Sequence, residues 1–73
     1  MQIELKGVLK TDIGRDRVAL DLEGTISLDE LKAMLGIDPG IPVVACIGKN
    51  HLKSTYQFDN SDSVALLPVV AGG

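Results

Sequence analysis

The sequence is poor in the residues that build metal sites, covalent staples and conventional catalytic centres. It has one cysteine, Cys46, and one histidine, His51. A single thiol cannot form an internal disulfide, and the two residues together give no metal-ligand spacing. His51 falls beside a turn with no nucleophile–base partner near it in sequence, which reads as a solvated side chain. Cys46 lies inside an apolar run and reads as a small buried hydrophobe. No glycine-rich phosphate loop is present. A basic stripe is also missing. Lys and Arg total 7 against 10 Asp and Glu, for a formal net charge of -3. Lys6, Lys10, Arg15 and Arg17 alternate with Asp12, Asp16 and Asp21, so no surface gathers the positive charge that phosphate neutralisation needs. Nucleic acid is therefore not an expected partner.

Long apolar runs are absent as well. The longest lies in the last ten residues and is broken by Pro68, far short of the roughly 20 residues that span a bilayer. The opening Met1-Gln2-Ile3-Glu4-Leu5-Lys6-Gly7 does not have the pattern of a signal peptide. A cytoplasmic, reducing setting without a membrane is the expectation, and a lone thiol agrees with it. Repeats and low-complexity segments are not seen.

What is present is a well-patterned small domain. The 73 residues suffice for one domain, with 45% hydrophobic and 23% charged residues, a globular balance. A chain of this size buries only about 60% of its unfolded surface. Its stability must come from close packing or from a partner.

The clearest element is a helix over residues 27–36. Ser27 is placed as N-cap, and Glu30 is placed to complete a capping box. Ile26 can staple onto Leu31. Leu28, Leu31, Met34 and Leu35 recur at helical spacing, which leaves Asp29, Glu30 and Lys32 toward water. Gly36 suits a left-handed residue closing the helix, and Pro39 and Pro42 block continuation.

Strands fill the rest. Residues 2–9 and 17–22 alternate polar and apolar, with Ile3 and Leu5, then Val18, Leu20 and Leu22, on the buried side. With turn chemistry at Asp12-Ile13-Gly14, the two runs predict an N-terminal hairpin. Val43-Val44-Ala45-Cys46-Ile47-Gly48 predicts a strand covered on both faces or central in the sheet. A turn at Gly48-Lys49-Asn50 leads to a weak edge segment over residues 52–58. Asp59-Asn60-Ser61-Asp62 predicts a polar turn, and Val64–Leu67 a last strand. Pro68 should end the pairing, because it has no amide hydrogen. The order predicts an α+β roll, a mixed sheet of four to five strands with one main helix on one face. It favours a parallel central pair of first and last strands. Residues 1–68 form the domain and residues 69–73 a flexible tail.

The tail carries the chemical signal. Disordered ends are usually polar, but here Val69 and Val70 are apolar and would stand exposed, which suggests a partner. Ala71-Gly72-Gly73 follows. The last two residues have no side chains, so a terminal carboxylate could thread a narrow channel. Extended, five such residues reach about 17 Å. A carboxylate is a poor acyl donor until it is joined to AMP as a mixed anhydride. It could then accept sulfide to give a thiocarboxylate, or an amine to give an isopeptide. The bland alternative is an incidental Gly-Gly end.

The segment Val64-Ala65-Leu66-Leu67-Pro68-Val69-Val70-Ala71-Gly72-Gly73 resembles the C-terminus of the MoaD/ThiS family of ubiquitin-like sulfur carriers. Ala45–Asn50 and Asp59–Asp62 are similar to the family's strand-and-turn and its polar turn before the last strand, and Met1–Lys6 is similar to the opening of ubiquitin. The likeness spans the chain in element order, but only its last ten residues are specific. It implies a β-grasp fold in which Gly73 is adenylylated and then converted to a thiocarboxylate. The implied partners are a ubiquitin-activating-type adenylating enzyme, a sulfurtransferase or cysteine desulfurase, and an acceptor synthase. That synthase would be a molybdopterin synthase large subunit or a thiazole synthase. ATP would be consumed by the activating enzyme, with no cofactor bound by this chain. The chain would be no enzyme itself, although it could count as the small subunit of a molybdopterin synthase. Pro68, Val69, Val70, Ala71 and Gly72 would enter the partner's active site. Leu52 and Leu67 match positions that contact partners, and both also fit a core.

The resemblance is imperfect. Molybdopterin carriers commonly have Pro-Pro before the tail, where this chain has Pro68-Val69, and its short helix is nearer to thiamin-type carriers. Pterin cofactor synthesis, with molybdenum or tungsten, thiamin synthesis and specialised sulfur transfer all stay open, the pterin pathway being slightly favoured on Leu67–Gly73. Two other readings stay open: a protein modifier conjugated through Gly73, and a non-covalent β-grasp interaction module.

Overall fold

Ile3 and Leu5 alternate with Gln2 and Glu4 to form β1 (Gln2–Leu5). In the computed structural model, which describes residues 1–69, this strand does not run on into a hairpin turn. Gly7 takes φ 57° and ψ −135° and turns the chain into a short helix, α1 (Val8–Ile13). Leu9 and Ile13 sit one helical turn apart and face the core, with Leu9 only 1% exposed. The predicted turn residue Gly14 is left-handed, at φ 81°, but as the cap of α1. The expected hairpin is therefore replaced by a strand–helix–strand unit. Two apolar positions four apart prefer a helical face to a pleated one. The second strand, β2 (Arg17–Ala19), still pairs antiparallel with β1, but is shorter than the alternation predicted.

The main helix, α2 (Leu28–Leu35), starts and stops as its sequence requires. The Ser27 hydroxyl accepts from the Glu30 amide, and Glu30 Oε1 accepts from the Ser27 amide, each at 3.1 Å. At the other end Gly36, at φ 76°, donates to the Ala33 carbonyl, and Ile37 donates to the Lys32 carbonyl at 2.9 Å. This is a Schellman closure, with Ile37 buried beyond it. Leu31 is completely buried, while Met34 is 52% exposed. Lys32 departs from its expected place in water. It is 6% exposed, and its Nζ donates to the carbonyls of Pro39, at 3.3 Å, and Ile41.

The remaining strands are β3 (Val43–Ile47), β4 (Asn50–His51) and β5 (Ser63–Pro68). They complete a mixed sheet of order β2-β1-β5-β3-β4. β5 lies in the centre, parallel to β1 and antiparallel to β3. The run through Cys46 is thus one strand off centre. The edge strand β4 starts at the last residue of the predicted turn and precedes the expected weak segment over residues 52–58, whose pairing is an isolated bridge between Phe58 and Ile26. No helix among the described residues is long and apolar enough to cross a membrane.

Register decides the core. Ile3 pairs with Val64, Leu5 with Leu66, and Leu66 with Ala45, so these side chains share one face. That face forms a common core with Leu9, Leu31, Ile37 and Phe58. Burying a leucine or phenylalanine of this kind contributes about 1.5–3 kcal/mol. The architecture is α+β, a mixed five-stranded sheet with two helices rather than one.

Replacing Ser27 by Ala removes the hydroxyl half of the cap and should lower stability by about 1 kcal/mol, read as a shift in the urea midpoint with unchanged slope.

Candidate functional site

The chain leaves the sheet at the end of its central strand, and the last described residues are held on both flanks. Along β5 the backbone groups point alternately to β1 and β3. The Asp62 and Leu66 carbonyls accept from Gln2 and Lys6 on the β1 side, each at 3.0 Å. Pro68 has the same parity, so its missing amide hydrogen faces the space beyond β1, where the chain has already turned at Gly7. It costs the ladder no bond. The strand ends at Pro68, as expected, and its last pair is Val43 with Pro68. Val69 faces the other way and donates to the Pro42 carbonyl at 3.0 Å.

Gly7 closes the opposite flank. A methyl group on it would lie 3.2 Å from Pro68 Cγ, tighter than ordinary contact. Its backbone also occupies a region that side chains disfavour. Both features put the α1 entrance directly against the root of the tail. Val8 and Val69, each next in sequence to a residue of this contact, are 51% and 44% exposed. Neither Gly7 nor Pro42 is marked by the tail sequence. The signal for Gly7 is a glycine ending an alternating run, and for Pro42 a proline one residue before an apolar strand.

Val70, Ala71, Gly72 and Gly73 lie outside the described residues. Of the other expected site residues, Pro68 and Val69 form the root just described. Leu52 is half-buried against the core. Its amide donates to Ala45. Leu67 pairs with Val44 on the opposite face of the sheet. The structure therefore separates two positions that the resemblance had grouped as partner contacts.

The face bearing Leu67 also carries Cys46, Ala65, Glu4 and Arg17 in cross-strand pairs. Cys46 is 6% exposed but lies on this side of the sheet, away from the main core cluster. His51 is its cross-strand neighbour on the edge. Small side chains at Cys46, Ser63 and Ala65, with Gly48, form the floor of a depression of about 490 Å³, bounded by Gln2, Glu4, Lys6 and Arg17. Glu4 pairs with Lys6, whose hydrogen bond and charge hold the Glu4 carboxyl below its ordinary value.

The turn before β5 is built as its sequence predicts. Asp62 Oδ2 accepts from the Asp59 amide at 2.9 Å, and Asp62 Oδ1 accepts from the Tyr56 hydroxyl at 3.1 Å. That last bond raises the Tyr56 pKa. Tyr56 in turn packs edge-on against Phe58, ring centres 5.0 Å apart. Asp59 Oδ1 accepts from the Ser61 hydroxyl and amide, and the hydroxyl bond is the main reason its carboxyl titrates low. Asn60 Oδ1 accepts from the Met1 nitrogen at 3.0 Å and the Leu22 amide at 2.9 Å. These bonds hold the start of β5 against β1.

Comparison with protein-family models finds no match, and comparison with curated protein sequences finds none either. The resemblance to sulfur carriers rests on the residues already named.

Two outcomes are expected. Gly7→Ala should cost about 1–3 kcal/mol in chemical denaturation, and more than Gly14→Ala, since a methyl at Gly14 meets nothing within 4 Å. Ser61→Ala should move the Asp59 midpoint, followed by NMR, upward toward the ordinary carboxylate value. Because folding depresses that pKa, the associated stability is present above the unfolded value and lost as pH falls through the folded one. The variant should weaken that acid-side loss.

Proposed function

We propose that this chain is a β-grasp sulfur carrier whose working group is the carboxylate of Gly73. The observation that carries the reading is the position of β5. The strand leading into Leu67-Pro68-Val69-Val70-Ala71-Gly72-Gly73 is the central strand of the sheet, parallel to β1. The strand order and the main helix over one face are compatible with a β-grasp. The anchored root at Val69 supports a design in which a rigid body presents a short end to another protein.

In this reading a Gly73 carboxylate oxygen attacks the α-phosphorus of ATP on an adenylating enzyme of ubiquitin-activating type, and pyrophosphate leaves. A persulfide sulfur on a sulfurtransferase or desulfurase then attacks the acyl carbon, and AMP leaves. A thiol cleaves the resulting acyl disulfide to release the thiocarboxylate. An acceptor synthase takes the sulfur for cofactor biosynthesis, with a pterin cofactor preferred over thiamin. The chain supplies no catalytic side chain and acts as a co-substrate in the cytoplasm. Its task is recognition and delivery, and Pro68 to Gly72 are the residues that would enter the partner.

Intact-mass spectrometry tests this directly. The native protein should have the mass of a chain ending at Gly73. With ATP, an activating enzyme of this type and a persulfide donor, one oxygen should be replaced by one sulfur, located in the C-terminal peptide. Deleting Gly73 should abolish the shift. A folded chain that gains no sulfur from any cognate set of enzymes would reject the carrier role. A ladder of conjugates in cells, lost with Gly73, would assign it instead as a protein modifier.

A further inference from the structure

The carrier chemistry has no use for Lys32, yet its side chain is drawn out of water into the loop after α2. Burying an ammonium is unfavourable unless hydrogen bonds replace its hydration. Here Nζ donates to the carbonyls of Pro39 and Ile41. The ion pair found among the described residues is Glu4 with Lys6, so main-chain oxygens rather than a carboxylate receive the Lys32 ammonium. Two prolines bracket these acceptors. Ile41 also donates to Asp38, and Gly40 to the Asp38 side chain, which tightens the same loop. The carbonyl immediately after the Lys32 acceptors is that of Pro42, which receives the amide of Val69.

We propose that Lys32 is a positioning residue for the tail. By holding the Pro39 and Ile41 carbonyls it fixes the Pro42 carbonyl, which anchors the point from which the chain continues to Gly73. Gly7 against Pro68 supplies the second flank. The functional consequence rests on the carrier reading, while the clamp itself does not.

Lys32→Met keeps a straight apolar stem and deletes the donors. Amide exchange by NMR should then show Val69 losing protection about tenfold, the equivalent of one hydrogen bond. Amides of the β1–β5 ladder should keep their relative protection. Equal loss across the sheet would mean that Lys32 merely supports the fold, and would overturn the proposal. In the adenylation assay the variant should raise KM for the carrier with kcat unchanged. An unchanged KM would overturn the positioning role although the clamp existed. Failure of the unsubstituted chain to be adenylylated would overturn the carrier reading and the positioning role with it, leaving the exchange result to judge the clamp alone. Should Lys32→Met not fold, reductive methylation of the unsubstituted protein gives a second measure. Lys32 should stay unmodified while Lys10, Lys49 and Lys53 react, and equal reactivity would refute the clamp.

Discussion

β5 is bonded on both sides, parallel to β1 and antiparallel to β3, and almost every other feature depends on that double pairing. It sets which side chains point inward, because Leu66 must pair with Leu5 and Ala45 at once. Leu66 is completely buried in consequence. A slip of one residue would send Leu66 and Val64 to the wet face and bring Ala65 and Leu67 inward. The turn from Asp59 to Asp62 guards against that slip. Its carboxylates are committed to local amides and to the Tyr56 hydroxyl, and its last carbonyl already receives Gln2.

The same parity explains why a proline can stand at the end of a central strand. Proline inside a sheet normally removes a ladder bond. At Pro68 the absent donor faces a side that β1 has vacated, and the following amide still finds Pro42. The strand thus ends on a fixed residue rather than by fraying. For a protein proposed to offer its last residues to another enzyme, a fixed root lowers the ordering entropy that binding must overcome. The contacts at Gly7 and the loop held by Lys32 serve that root from opposite sides.

Local chemistry made much of this legible. The capping box at Ser27 and Glu30, the closure at Gly36 and the polar turn at Asp59–Asp62 each involve residues within a few positions of one another, and each forms as expected. The parallel pairing of first and last strands also follows from element order. The failures share a different cause. Over six residues, Leu9 and Ile13 are too few to distinguish a helix from alternation, so the segment of α1 reads by pattern alone as strand and turn. Lys32 occupies a helical position that points toward water on a bare helix. Only the returning loop, with its two free carbonyls, converts that position into a buried one. Cys46 reads as buried, and is, but its cross-strand register with Ala65 and His51 puts it on the face away from the main core.

By itself the sequence determined the caps of the main helix, the polar turn at Asp59–Asp62 and the side-chain-free end, because these depend on neighbours along the chain. Tertiary structure decided which way Pro68 faces, what Val69 bonds to, where the Lys32 amine goes and which of Leu52 and Leu67 belongs to the core. Those outcomes require segments far apart in the chain to meet. A backbone donor or an ammonium has no preferred partner until the fold brings a particular carbonyl within reach.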